Sequence, residues 1–253
     1  MLRQIGSVLV SGLVAAWAVP EVALAHDGGD TPALGIVDVQ DGFYPTGSSD
    51  DPFNGFRVFL SSPRHADSGS RGECTDPGYQ ENVNGRQWNW RAANGDWYSE
   101  LYDPTLHNRN LHGRGYYVRV SPNTKDNGYL DNIEMSKNFG ANLHIVTHTN
   151  AASGCESSAN YLLVMWKQDA DAYDDKDLAT ALKNNIEDYA PGGQVLQQRT
   201  NLAELDRNAP RGDAYVELVF HDHQAAQRWI HDKTPNNQFT YGLSVDQYLD
   251  YPS

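Results

Sequence analysis

Leu130-Asp131-Asn132-Ile133-Glu134-Met135-Ser136-Lys137-Asn138-Phe139 is followed almost at once by Leu143-His144-Ile145-Val146-Thr147-His148. The first run reads as a helix and the second, short and apolar, as a buried strand. The same alternation extends in both directions. Upstream, Phe56–Ser62 and Tyr116–Val120 read as strands. Between them Asp76-Pro77 opens a helix, with Asp as N-cap and Pro at the first helical position. That helix is expected to carry Val83, Trp90, Ala93, Trp97 and Leu101 on one face. Downstream, Tyr161–Trp166 and Ala214–Phe220 read as strands, and Gln194–Gln198 as a further candidate. Leu178, Ala181, Leu182, Ile186 and Tyr189 mark a helix stopped by Pro191-Gly192-Gly193, and Ala225–Ile230 a last one. This order predicts a single α/β domain over residues 56–253. Its central sheet should be mostly parallel, of about five or six strands, with helices on both faces. Residues 26–55, rich in Gly, Asp, Ser and Pro, read as an N-terminal arm with one short strand at Gly35–Val39.

The first 25 residues have the grammar of an export signal. Arg3 supplies the charge, Ile5–Val19 the apolar stretch, and Ala23-Leu24-Ala25 the small-residue cleavage pattern. The apolar stretch ends at Pro20 and Glu21, short of the roughly 20 residues a membrane span needs. A secreted or cell-wall location is therefore expected, with no membrane span after cleavage. Export favours pairing Cys74 with Cys155, the two cysteines of the chain, although two free thiols are the alternative. The formal net charge is −14, and no run of Lys and Arg occurs. That argues against capture of nucleic acid or an anionic lipid surface. A monomer is the expected state.

Several residues stand out against this framework. Glu217 lies inside the apolar run Ala-Tyr-Val-Glu-Leu-Val-Phe, where a carboxylate is costly unless paired or chemically used. The alternative is an edge strand with Glu217 facing water. His148 ends a buried strand, His65 follows the first strand, and Glu81 lies early in the helix that Asp76 opens. Singly, each has a structural explanation: a satisfied core histidine, a loop histidine, a carboxylate complementing a helix dipole. Together they gather at the carboxyl ends of the strands, where open α/β sheets bind ligands. Two imidazoles and a carboxylate make a His2Glu zinc set with a fourth position for water, and a second carboxylate nearby would take its proton. His144 is about 13 Å along the strand from His148, too far to share an ion. His221 and His223 would line the cleft or cap the last helix.

These anchors, in this order, resemble the zinc-dependent N-acetylmuramoyl-L-alanine amidases of the third amidase family, secreted bacterial cell-wall hydrolases. Four segments carry the resemblance: Val58–His65, Gly78–Asn82, Ala141–Ala151 and Tyr215–Phe220. Around His65 the family carries an acidic residue and glycines, where this chain has Ser62, Arg64, Ala66 and Asp67. The resemblance implies Zn2+ held by His65, Glu81 and His148, with Glu217 as catalytic base. It implies hydrolysis of the amide between N-acetylmuramic acid and L-alanine, with peptidoglycan or a muramyl peptide as the partner. By the same analogy Arg207 would meet a substrate carboxylate, unless it is a solvated surface residue. Cys74 and Cys155 would belong to loops beside the cleft.

Other readings stay open on the sequence. A non-catalytic wall-binding or regulatory module would keep the fold without the chemistry. A zinc amide hydrolase for another substrate would keep both; a carboxypeptidase-type site is disfavoured, because His65 and Glu81 lack the H-x-x-E spacing. After cleavage His26 would head the chain and offer a copper chelate, with no second histidine placed to join it. The acidic run Asp169, Asp171, Asp174, Asp175 and Asp177 lacks the glycine and terminal glutamate of an EF-hand. No G-x-S-x-G motif supports a serine hydrolase.

Overall fold

A computed structural model describes residues 54–63, 85, 88–89, 92–93, 110–121, 128–150, 159–168, 175–187, 192–206, 211–223, 226 and 237–250. The expected export signal, the strand at Gly35–Val39, His65, Glu81, Arg207 and both cysteines lie outside the described residues. The described chain forms strands β1 (Arg57–Ser61), β2 (Tyr117–Val120), β3 (Leu143–Asn150), β4 (Tyr161–Trp166), β5 (Gly193–Gln198) and β6 (Gly212–Phe220). Four helices are bounded within the described residues: α1 (Tyr129–Phe139), α2 (Asp175–Glu187), α3 (Ala203–Asp206) and α4 (Asn237–Leu249).

The six strands form one sheet in the order β2-β1-β3-β6-β4-β5. β2, β1, β3 and β6 are mutually parallel, β4 runs antiparallel to β6, and β5 is parallel to β4. Connection length explains the reversal. Only residues 151–160 separate β3 from β4, fewer than the dozen or so that a parallel crossover takes. The chain therefore returns antiparallel, and Tyr161, the first residue of β4, stands at the edge where β6 ends.

The central strands β3 and β6 are buried along their whole length. Alternate residues serve two cores. Val58, Leu60, Leu143, Ile145, Ala214 and Val216 pack under α2 and α4, through Leu178, Leu182, Tyr241 and Val245. Val146, Leu163, Met165 and Tyr215 face the other way and meet Leu205 of α3. α1 covers that second face beside β1, where Asn132 Nδ2 donates to Ser61 Oγ at 2.7 Å. Helices thus flank both faces of a mostly parallel sheet, as the alternation of elements predicts.

α1 illustrates how local signals position a strand. Asp131 accepts the Gly128 N–H at the first turn, and Gly140 closes the helix at φ +66°, its N–H donating to Lys137 O. Asn142, immediately after, pairs its backbone and side chain with Arg57 and sets β3 beside β1. One expectation needs correction. The chain does not end its helices at Ala225–Ile230: α4 follows, and it packs on α2. In the helical segment after Asp76, the buried described positions are Gly85, Trp88, Asn89, Ala92 and Ala93. Ala93 belongs to the expected face, and Val83, Trp90, Trp97 and Leu101 lie outside the described residues. Gly85 and Asn89 face the sheet although neither is apolar.

Candidate functional site

The parallel strands β1, β3 and β6 all end at one edge of the sheet. There His148 of β3 stands in register with Glu217 of β6, so the two side chains leave adjacent strands on the same face. The register shifts just beyond, between His148 and Asn150, a bulge of the kind that re-aims side chains at sites. His148 is 1% exposed and Glu217 is 7% exposed. Glu217 sits on a central strand, between β3 and β4, which removes the alternative of a water-facing edge.

The His148 ring is held at both nitrogens. Its Nε2 is 3.0 Å from the Pro63 carbonyl oxygen, and its Nδ1 is 2.8 Å from the Tyr215 hydroxyl. A carbonyl only accepts, so Nε2 donates to Pro63; in a neutral ring Nδ1 then accepts from Tyr215. Pro63 precedes His65 by two residues, so the chain that leads to the first predicted ligand passes over the second. Tyr215 was not singled out in the sequence. The available signal was strand alternation, which puts residue 215 on the same face as Glu217.

Glu217 is in an unusual state. Burial pushes its pKa up to about 8, against the opposing pull of the Arg199 cation. Its Oε2 has no hydrogen-bond partner among the described residues. Tyr161 shares the neighbourhood, and its hydroxyl pKa is raised by burial first, with Arg199 lowering it and Glu217 raising it. A buried carboxyl with one oxygen unpaired among the described residues is costly unless it is chemically used, which marks Glu217 as a candidate for proton transfer.

The end of β1 is fixed by a dense set of polar contacts. Ser61 Oγ donates to Glu204 Oε1 at 2.5 Å, and Ser62 Oγ donates to the Thr147 carbonyl at 3.0 Å. Asn89 Nδ2 donates to Ser61 O and to Ser62 Oγ, and Ser62 N–H donates to Ser121 Oγ. Every side chain in this set is buried. His144 belongs to it: its Nε2 meets Glu204 Oε1 at 3.2 Å, and its ring stacks on Phe59. His144 thus anchors the floor of the site. His221 reaches Thr149 Oγ1 with Nδ1, and the His223 N–H donates to Phe220 O, so both hold the turn after β6.

His148, a predicted ligand, is a donor type that holds zinc, and the unpaired Oε2 of Glu217, the predicted base, suits a site that gains a cation or a water. His65 and Glu81, the other predicted ligands, lie outside the described residues. Among the described residues no group of three His, Cys, Asp or Glu side chains could hold a metal ion. What the described part offers is therefore one imidazole and one carboxyl of the predicted set, in register and buried.

No family model matches the sequence, and no curated protein matches it. Solved structures do. An N-acetylmuramoyl-L-alanine amidase from Clostridium difficile 630 is 17% identical with a TM-score of 0.55, covering 78% of this chain and 98% of its own. The chain carries the fold of the N-acetylmuramoyl-L-alanine amidases. The CwlD amidase from Clostridioides difficile, solved in complex with the GerS lipoprotein, is 14% identical with a TM-score of 0.55, covering 78% of this chain and 100% of its own. The amidase Ami1 from Mycobacterium smegmatis is 14% identical with a TM-score of 0.54, covering 79% and 97%. At these identities the likeness is one of fold. No helix among the described residues is long and apolar enough to cross a membrane.

Proposed function

We propose that this protein is a zinc-dependent hydrolase that cleaves the amide between N-acetylmuramic acid and L-alanine in peptidoglycan, outside the cytoplasm, after removal of residues 1–25. One observation carries the reading: a buried Glu217 carboxyl, its Oε2 unpaired among the described residues, in register with the buried His148 imidazole at the carboxyl edge of an amidase-type sheet. His65, Glu81 and His148 would hold the ion. Zinc bound there would supply Lewis acidity, acidifying a water and polarising the substrate carbonyl.

The chain's own residues do the rest. Glu217 takes the proton of the attacking water and returns it to the leaving amine of L-alanine. A carboxyl whose pKa lies near the working pH can do both. A cation beside it draws that pKa down from about 8 and favours the ionised base. Arg199 adds positive potential on the same side. Tyr215 fixes the ring of His148, and the Ser61–Ser62 contacts fix where the chain leaves β1 toward His65.

The test combines metal content with product analysis. Purified protein should contain one zinc per chain and should release new L-alanine amino termini from peptidoglycan fragments. Zinc without cleavage of any muramyl peptide would overturn the substrate. Absence of zinc would overturn the mechanism.

A further inference from the structure

We infer that Tyr215 is the positioning residue that decides which nitrogen of His148 is offered to a metal ion, a reading that rests on the proposed zinc hydrolase. The two ring contacts leave one neutral arrangement: Nε2–H donates to Pro63 O, and the Tyr215 hydroxyl donates to Nδ1. An ion needs a ring lone pair, so one contact must yield. The Pro63 contact is the one placed to yield, because Pro63 lies past the end of β1, outside the strand ladder. Tyr215 has no such latitude. It sits within β6, registered with Val146 of β3 on one side and Met165 of β4 on the other, and is 5% exposed. Its ring meets His148 edge-to-face, with centroids 5.4 Å apart and planes at 83°.

Freeing the Nε2 lone pair moves the ring proton to Nδ1. The hydrogen bond to Tyr215 must then reverse, with Nδ1–H donating to Oη. A hydroxyl serves in both directions by rotating its own proton, whereas a carbonyl or a carboxylate in its place would serve only one. Tyr215 thus keeps the ring in one orientation through both tautomers, and it raises the basicity of the nitrogen that faces the ion. Phenylalanine would keep the packing and lose the reversal.

The experiment compares wild type, Tyr215→Phe and Tyr241→Phe. Tyr241 is the matched control. Its hydroxyl contacts Thr147 Oγ1 at 2.7 Å, next to His148 in sequence but on the opposite face of the sheet. Zinc affinity is measured by competition with a chelator, and histidine tautomers by 15N NMR of isotopically labelled protein. We expect metal-free wild type to carry the His148 proton on Nε2, and zinc-loaded wild type to carry it on Nδ1. Tyr215→Phe should weaken zinc about 10–100-fold, the usual cost of removing an outer partner of a ligating histidine. Tyr241→Phe should leave zinc affinity unchanged. Unaltered zinc affinity in Tyr215→Phe, equal weakening in Tyr241→Phe, or a zinc-loaded His148 protonated on Nε2 would each overturn this inference alone. Absence of zinc from wild type would overturn it together with the proposed function.

Discussion

Gly85→Ala should unfold the site from beneath. Gly85 is helical and buried, and its backbone presses directly on β3. A Cβ at this position would lie 1.8 Å from the Thr147 carbonyl oxygen and 2.9 Å from Ser62 Oγ. Real Cβ contacts essentially never fall under 3.0 Å, so the helix must retreat by more than an ångström. Asn89 rides on the same helix. Its hydrogen bonds to Ser61 O at 2.9 Å and Ser62 Oγ at 2.8 Å would stretch beyond bonding range. Asn89 is fully buried, so each bond lost leaves a desolvated donor or acceptor at about 1–3 kcal/mol. The steric shift adds about 1–3 kcal/mol. The total, roughly 3–9 kcal/mol, is a large share of the 5–15 kcal/mol that holds a typical domain together. Urea denaturation followed by tryptophan fluorescence measures it. A loss below about 1 kcal/mol would refute the reasoning, because the helix would then be free to move at no cost to the end of β1.

Two further perturbations follow from the buried polar groups. Burial holds the pKa of His112 and of His221 down to about 4, against 6.5 for the free side chain. Each folded-state pKa is depressed, so the unfolded chain binds more protons between pH 6.5 and 4, and stability falls as pH falls through that window. The loss at pH 5 should be on the order of 2 kcal/mol per histidine, read by denaturation at pH 7 and pH 5; a flat profile would contradict it. Glu204→Leu strips His144 Nε2 and Ser61 Oγ of their shared acceptor in a buried setting and should cost about 2–5 kcal/mol, read as a lowered Tm. An unchanged Tm would mean that this network does not anchor the site.

The strands were legible because buried strands in an α/β sheet are short apolar runs, and Tyr161–Trp166 is bounded as its composition predicts. The direction of β4 was not legible from periodicity, which is the same for parallel and antiparallel pairing; the short connection from β3 carried that information. α4 was hidden by its own polar residues. Ser244 Oγ donates to the Thr240 carbonyl within the helix, and the Tyr241 hydroxyl meets Thr147, so hydroxyl-bearing residues fill a buried face that reads as polar. His148 and Glu217 were legible as residues out of place. Their register was not, because β3 and β6 are separated in the chain by β4, α2, β5 and α3 and meet only through the sheet order. Tyr215 escaped notice for a related reason: an aromatic in an apolar strand looks like core, and only the hydroxyl contact to Nδ1 shows its second use.

The central claim is that Glu217 moves protons at a zinc site built around His148. Glu217→Ala beside wild type, assayed on purified peptidoglycan fragments with zinc quantified in both proteins, tests it most directly. The account predicts that zinc stays while release of L-alanine amino termini falls by about 10²–10⁴-fold, the usual contribution of a positioned general base. Cleavage by Glu217→Ala at the wild-type rate would contradict it.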